Sequence, residues 1–257
     1  MKITAKQRHE KIRELIAKDL PFAVSDLARQ FGVSEMTVHR DLNALQQEGH
    51  IKRTHGGAVP AEKMAFEFDF TSRRKSNKKA KQAIAKYAIT LIKPRQTLIL
   101  DTGTTTLELA LLLKDFQNIT ILTPSIAVAS ILQFSTGIQT ILLGGNIRKG
   151  SPDLTGAITE KVLDMFMADI AFQGADGIGL NGEMYNSDMR IANVDQKMRQ
   201  RAHKTYILCD SSKINKTNLA FNGSLSEVNA LITDSKIKIE HLSALKEINK
   251  NIITVNV

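Results

Sequence analysis

The chain of 257 residues has one cysteine, Cys209, which excludes an internal disulfide. Long apolar runs are missing too. None approaches the roughly 18 residues that a membrane-crossing helix requires, so no membrane partner is expected. The N-terminus "MKITAKQRHEKIRELIAKDL" lacks the apolar core of a secretory signal. Without secretion, the N-x-S/T patterns at Asn118, Asn215 and Asn222 have no meaning as glycosylation acceptors. The chain therefore reads as cytoplasmic. Its six histidines show no metal-ligand spacing, so neither a metal nor a cofactor is expected.

What the chain does have is positive charge, unevenly placed. The formal net charge is +9. Residues 1–60 contribute +3 and residues 61–86 contribute +5, which leaves +1 for the remaining 171. A basic front and a near-neutral body suggest a polyanion partner for the front alone.

The first sixty residues explain that partner. Ile12, Leu15 and Ile16 mark one face of a helix that Pro21 ends. In "VSDLARQFGVSEMTVHRDLNALQQEGHI" Ser25 is placed to cap a helix through Phe31, with Leu27, Ala28 and Phe31 inward. Gly32 permits a sharp turn, and Ser34 is placed to cap the next helix. There Val38, Leu42 and Leu45 form the apolar stripe, Thr37, His39, Arg40 and Asn43 face outward, and Gly49 is the stop. "HIKRTHGGAV" then reads as a hairpin. Three helices and a hairpin describe a winged helix-turn-helix, in which a capped helix enters the major groove and a basic wing touches the backbone. Pattern alone leaves open a small helical domain whose basic residues are only solvated.

The segment "VSDLARQFGVSEMTVHRDLNALQQEGHIKRTHGGAV" resembles the N-terminal signature of the DeoR (GlpR-type) bacterial transcription regulators. The resemblance implies a double-stranded DNA operator as partner, contacted by Ser34, Thr37, His39, Arg40 and Asn43 of the helix and Arg53, Thr54 and His55 of the wing. Family members usually carry two arginines before the "DL" pair; here His39 stands in the first place. An imidazole cannot form the bidentate fork that arginine makes with guanine.

Residues 61–77 read as a linker with a basic cluster, running into a helix at "KKAKQAIAKYAITLI". Residues 78–257 read as a second domain. The segments "TLIL", "ITIL", "QTILL", "DIAFQ", "TYILC", "ALIT" and "NIITV" are strand-like, and helical runs lie between most of them. That alternation predicts an α/β fold with a parallel sheet, whose ligands sit at the carboxyl ends of the strands. The loops "DTGTTT", "GGN", "GADG" and "CDSSK" each follow a strand and together predict a pocket.

The first of these loops, Asp101 to Thr106, lacks both the GK[ST] ending of a P-loop and the glycine spacing of a dinucleotide fingerprint, which disfavours an ATPase or an NAD enzyme. Gly103 is expected to let the chain turn tightly. Thr104, Thr105 and Thr106 present amides and hydroxyls at a helix start, where they either hold a phosphate or merely cap the helix. Cys209 reads as a small buried hydrophobe, and Met165 and Met167 as core fillers.

"DTGTTT", "GADGI" and "DSSK" resemble the C-terminal sensor domain of the same family, whose fold is similar to ribose-5-phosphate isomerase and glucosamine-6-phosphate deaminase. The resemblance implies a phosphorylated sugar or related metabolite as effector. Lys81, in a "KQAIA" run that also resembles the family, Gly103 to Thr106, Gly144 and Gly145 would surround it. Asp101 would accept from sugar hydroxyls or position the loop, Asp176 would contact the sugar, and Lys213 would compensate charge. In "YNSDMRIANVDQKMRQRA" the usual acidic-Ala pattern is replaced by Ile191 and Ala192.

Three functions compete: an effector-controlled regulator, most readily a repressor; a sugar-phosphate isomerase or deaminase with a basic extension; and an architectural DNA-binding protein. An isomerase needs a placed general base, and no loop glutamate or histidine fits. The architectural reading leaves four phosphate-suited loops unexplained. The regulator accounts for both halves, and two operator half-sites about 34 Å apart imply a homo-oligomer.

Overall fold

Val38, Leu42 and Leu45 recur at helical spacing because one face of their helix must leave water, and all three are fully buried. They belong to α3 (Glu35–Gln47), which packs with α1 (Ala5–Ala17) and α2 (Val24–Phe31) around Ile12, Leu27, Ala28 and Phe31. β1 (Ile51–Thr54) and β2 (Gly57–Pro60) follow as an antiparallel pair in which Arg53 lies opposite Ala58. The computed structural model describes residues 3–17, 23–47, 51–54, 57–60, 70, 72–148 and 151–257. The expected helix stops at Pro21 and Gly49, and the wing residue His55, lie outside them.

The joints of this unit are set locally. Gly32 ends α2 in the left-handed region (φ 64°) and donates to the carbonyls of Ala28 and Arg29, a conformation that costs glycine nothing. Ser34 starts α3 as expected, its hydroxyl accepting from the Thr37 amide at 3.2 Å. Ser25 does not cap α2. The helix begins one residue earlier, with Ala23 in the extended cap position, which places Ser25 inside the first turn. A buried ion pair joins the helices: Arg8 Nε donates to Asp41 Oδ2 at 2.6 Å, Arg8 Nη2 donates to Oδ1 at 3.1 Å, and His9 Nε2 lies 3.0 Å from Oδ1.

The chain divides into two compact units, Met1–Ser72 and Arg73–Val257. The second opens with α4 (Lys78–Ala88) and then alternates strand and helix. β3 (Thr97–Leu100), α5 (Thr104–Leu113), β4 (Ile119–Thr123), α6 (Ile126–Leu132) and β5 (Ile138–Leu142) come first. A small hairpin of β6 (Asn146–Ile147) and β7 (Leu154–Thr155), then α7 (Ala157–Asp164), leads to β8 (Ala168–Gln173). β9 (Gly177–Ile178), β10 (Glu183–Asn186), α8 (Met189–Gln200), β11 (Ala202–Leu208), β12 (Ala220–Ser224), β13 (Ala230–Asp234), α9 (Ile239–Ile248) and β14 (Ile252–Val255) complete it.

All seven expected strands enter one parallel sheet, in the order β14-β13-β11-β8-β3-β4-β5. The fold is thus the expected parallel α/β. Its strands are apolar nearly throughout because helices cover both faces; Leu98, Ile99 and Leu100 of β3 are all buried. After β5 the chain returns to lay β8 on the other side of β3. The strand order reverses there, which opens a crevice at the carboxyl ends of β3 and β8.

Two small antiparallel pieces, β6–β7 and the β12-β10-β9 sheet, form apart from the parallel sheet. The run Gly177–Gly182 does spell GxGxxG, but it forms β9 and the turn into β10, without the helix start that holds a dinucleotide phosphate. Met165 and Met167 are not core fillers; they are 75% and 51% exposed. Met165 ends α7 in a helical conformation (φ −79°, ψ −10°), and Phe166 takes the inward place against Leu163 and Ala168.

Candidate functional site

At the strand-order reversal lies a cavity of about 290 Å³. Asp101 to Thr105, following β3, and Gly174 to Asp176, following β8, line it. Cys209 to Lys213, following β11, supply Asp210, Ser212 and Lys213. Arg148 and Asp153 come from the β6–β7 connection, and Asn186, Ser187 and Asp195 from β10 and α8. Arg73, Ser76, Asn77 and Lys81 close the remaining side from the start of the unit.

The loop after β3 is braced from below. Asp101 is buried; its Oδ2 accepts from the Gly174 amide at 2.8 Å, and its Oδ1 from the Thr102 amide at 2.5 Å. The Thr106 hydroxyl, buried beneath the loop, donates to the Asp101 and Gly103 carbonyls at 2.9 and 2.7 Å. Gly103 is the residue before α5, and no side chain caps that helix. The amides of Thr104 and Thr105 therefore begin a helix whose positive end borders the cavity. Gly103 has φ −67° and ψ 154°, an extended conformation open to any residue, so the tight turn expected of it is absent.

The rest of the wall is equally tied. Asp176 Oδ2 accepts from the Ser187 amide and hydroxyl at 2.9 and 2.8 Å, and Arg73 Nη1 lies 3.5 Å from Oδ1. Burial pushes the Asp176 carboxyl up, but Ser187, Arg73 and Lys213 outweigh it and hold the group below its ordinary range. Lys81 is buried, and its ammonium donates to the carbonyls of Arg73 and Ser76. Burial pulls it below the ordinary lysine range, with Asp210 opposing. Asp210 Oδ1 accepts from Asn77 Nδ2 at 2.9 Å and from the Ser212 amide at 3.1 Å. Burial pushes the Cys209 thiol up, away from the thiolate that a nucleophile needs.

Of the residues the sequence pointed to, Lys81, Asp101, Gly103, Thr104, Thr105, Asp176 and Lys213 line the cavity. Thr106 supports the loop from beneath. Gly144 and Gly145 are not among the lining residues. A Cβ on Gly145 would sit 2.1 Å from the Thr159 hydroxyl oxygen, and that hydroxyl donates to the Gly144 carbonyl, so this pair serves a close backbone approach. Sequence reading missed Arg148, Asp153, Asn186, Ser187 and Asp195. Arg148 and Asp153 follow the "GGN" loop closely enough to have been suspected. Asp195 sits mid-helix, where sequence carries no signal. Among the described residues no cluster suits a metal ion, and no helix is long and apolar enough to cross a membrane.

Asp101 makes the cavity floor sensitive to pH. Burial pushes its carboxyl up to about 6, against the hydrogen bonds from Gly174 and Thr102 and with the Asp153 charge adding to the rise. The folded value lies above the ordinary 3.8, so the fold favours the neutral acid. That stabilisation is complete below pH 3.8 and is lost as pH rises through about 6. The loss is on the order of 3 kcal/mol. Denaturant unfolding between pH 4 and 7 should show a steeper decline in wild type than in Asp101→Asn. Equal slopes would mean that Asp101 titrates normally.

In the first unit, Ser34, Arg40 and Asn43 lie on the exposed side of α3, and Thr37 and His39 are half-buried. Arg53 and Thr54 occupy the last positions of β1. Residues 8–64 match the DeoR-like helix-turn-helix domain, and residues 76–235 match the DeoR C terminal sensor domain. The chain belongs to the DeoR family. Its relatives match over nearly their whole length. The HTH-type transcriptional regulator GolR of Listeria innocua is 32% identical, over 90% of this chain and 91% of its own. The lactose phosphotransferase system repressor of Lactococcus lactis is 31% identical, over 94% and 96%. Ribose 5-phosphate isomerase A of Methanocaldococcus jannaschii is a distant structural neighbour at 20% identity and TM-score 0.42, over 54% of this chain and 55% of its own. As a DeoR family member, the protein is a DNA-binding transcriptional regulator.

Proposed function

We propose that this DeoR family regulator is a repressor of a carbohydrate operon, released from its operator when a phosphorylated sugar enters the cavity of the second unit. One observation carries the effector half: an uncapped start of α5 beside a cavity also lined by Lys81 and Lys213. Helix-start amides and cations together suit a phosphate. A relative named as a lactose phosphotransferase system repressor supports the sugar. Residues 1–60 are the DNA-binding domain, residues 61–77 the connection and residues 78–257 the sensor. Arg73, Ser76 and Asn77, at the end of the connection, line the cavity, so an anion drawing on Arg73 and Lys81 shifts the segment that leads to the DNA-binding domain. The protein acts as a homo-oligomer on two half-sites.

Fluorescence anisotropy on a labelled operator, with and without sugar phosphates, tests the coupling. One of them should weaken DNA binding about 5- to 150-fold, and the bound compound should be recovered unchanged. Isomerised or deaminated product would overturn the reading in favour of an enzyme. On the DNA side, Arg40→Ala should weaken operator binding more than binding to random DNA. Arg53→Ala should weaken both alike and lower the salt slope by about one unit. Unchanged footprints in both variants would remove these two assignments.

A further inference from the structure

Among the described residues, Arg148 Nε, Asp153 Oδ1 and Asp195 Oδ1 are buried polar atoms of cavity-lining side chains that keep no hydrogen-bond partner. Such atoms are costly in a folded protein and call for a missing partner. Their other atoms are firmly held. Asp153 Oδ2 accepts from Arg148 Nη2 at 2.6 Å and from the Ser151 hydroxyl. Asp195 Oδ2 accepts from Asn186 Nδ2 at 2.6 Å and from Asn222 Nδ2 at 2.9 Å. Each carboxyl is thus fixed by one oxygen while the other stays unpaired. Asp153 and Asp195 are 2% and 1% exposed, and both belong to the cavity wall.

The carboxyls first expected to read a sugar are in the opposite situation. Both oxygens of Asp101 are taken by backbone amides, and Asp176 is held by Ser187 and Arg73. We propose that Asp153 and Asp195, rather than Asp101 and Asp176, recognise the hydroxyl groups of the effector, which makes it a polyhydroxylated monophosphate, a sugar or sugar-alcohol phosphate. The proposal rests on the reading of the cavity as a phosphorylated-sugar site. It adds which end of the ligand is read, and by what.

A hydroxyl is the group that fits, because it donates and accepts at once. It can satisfy an unpaired carboxyl oxygen in either protonation state and can also accept from Arg148 Nε. An ammonium group fits less well. Burial, and then the neighbouring Asp101 charge, hold the Asp195 carboxyl well above the usual range, which weakens it as a countercharge. The cavity divides accordingly. Amides of the α5 start and the cations beside them take the phosphate, and Asp153 and Asp195 take the hydroxyl-bearing end.

Calorimetric titration of the full chain with pentose and hexose monophosphates, their single-deoxy analogues and inorganic phosphate tests this. In wild type, the tightest sugar phosphate should exceed inorganic phosphate, and removing one of its hydroxyls should cost about 10-fold or more. In Asp195→Ala the parent and that deoxy compound should bind within about 2-fold of each other, with inorganic phosphate unaffected, as expected when one coupled pair is removed. Asp153→Ala should erase discrimination at a different hydroxyl, and it stands in if the first variant fails to fold. The wild-type deoxy series decides by itself whether hydroxyls are read at all. If every deoxy analogue binds like its parent, or both variants keep full discrimination, the inference is overturned while the phosphate site stands. If no phosphorylated compound binds wild type, the sensor reading falls, and this inference with it.

Discussion

Replacing Gly103 with valine should give a protein that stays on its operator whatever the effector concentration. A Cβ at Gly103 would lie 3.4 Å from the Thr106 hydroxyl oxygen, 3.8 Å from Gly174 Cα and 3.9 Å from Asp101 Oδ2, all ordinary contacts. With φ −67° and ψ 154° the backbone accepts a β-branched residue without strain. The sensor should therefore fold, and alanine should be nearly neutral. Valine adds two methyl groups at the residue before α5, beside the amides proposed to hold phosphate. Charge-assisted hydrogen bonds of that kind contribute about 1.5–3 kcal/mol each. Displacing two should lower sugar-phosphate affinity by about 100-fold or more. Residues 3–60 are untouched, so operator affinity without effector should equal wild type. Anisotropy titrations of Gly103→Ala and Gly103→Val against a labelled operator read both effects. A Gly103→Val protein that still releases DNA normally would remove the phosphate from this helix start.

Asp41→Ala should weaken DNA binding by a different route, destabilising the first unit while sparing the second. Asp41 and Arg8 are 5% and 8% exposed, and the guanidinium makes two bonds to the carboxylate besides one to the Ile3 carbonyl. Removing the carboxylate leaves a buried charge uncompensated, which costs on the order of 3 kcal/mol. A unit of this size has a total stability of only about 4–11 kcal/mol. Calorimetry should show one transition lowered by about 12–24 °C and the other unmoved. The double variant Arg8→Met/Asp41→Leu should recover much of the loss, because a buried pair is often replaceable by apolar groups of similar size. A lowered second transition, or an unmoved first one, would contradict the assignment.

The "RDL" triplet at Arg40, Asp41 and Leu42 shows where sequence reading stops. Spacing placed Leu42 in the core and Arg40 outside, and both stand there. Nothing local revealed that Asp41 pairs with Arg8 across 33 positions, since an acidic residue beside an exposed arginine reads as surface. Met165 and Met167 failed in the other direction. Their hydrophobicity suggested burial, but Phe166 between them takes the place against the core.

Periodicity determined by itself the three helices of the first unit, the seven parallel strands of the second and the strand ends where the loops would gather. These follow from which residues must leave water, at helical spacing in the helices and as short continuous apolar runs in the strands. Tertiary structure decided which loops meet. The sheet reverses its strand order between β3 and β8, so the loops after those strands and after β11 converge while Gly144 and Gly145 stay outside the lining. It also decided that Arg148, Asp153 and Asp195 reach the cavity at all. Whether a buried carboxylate is occupied, as in Asp101, or still has an unpaired oxygen, as in Asp195, depends on amides and amino groups brought from distant parts of the chain. Hydrogen bonds between such groups exist only once the sheet has closed, and a linear pattern does not encode them residue by residue.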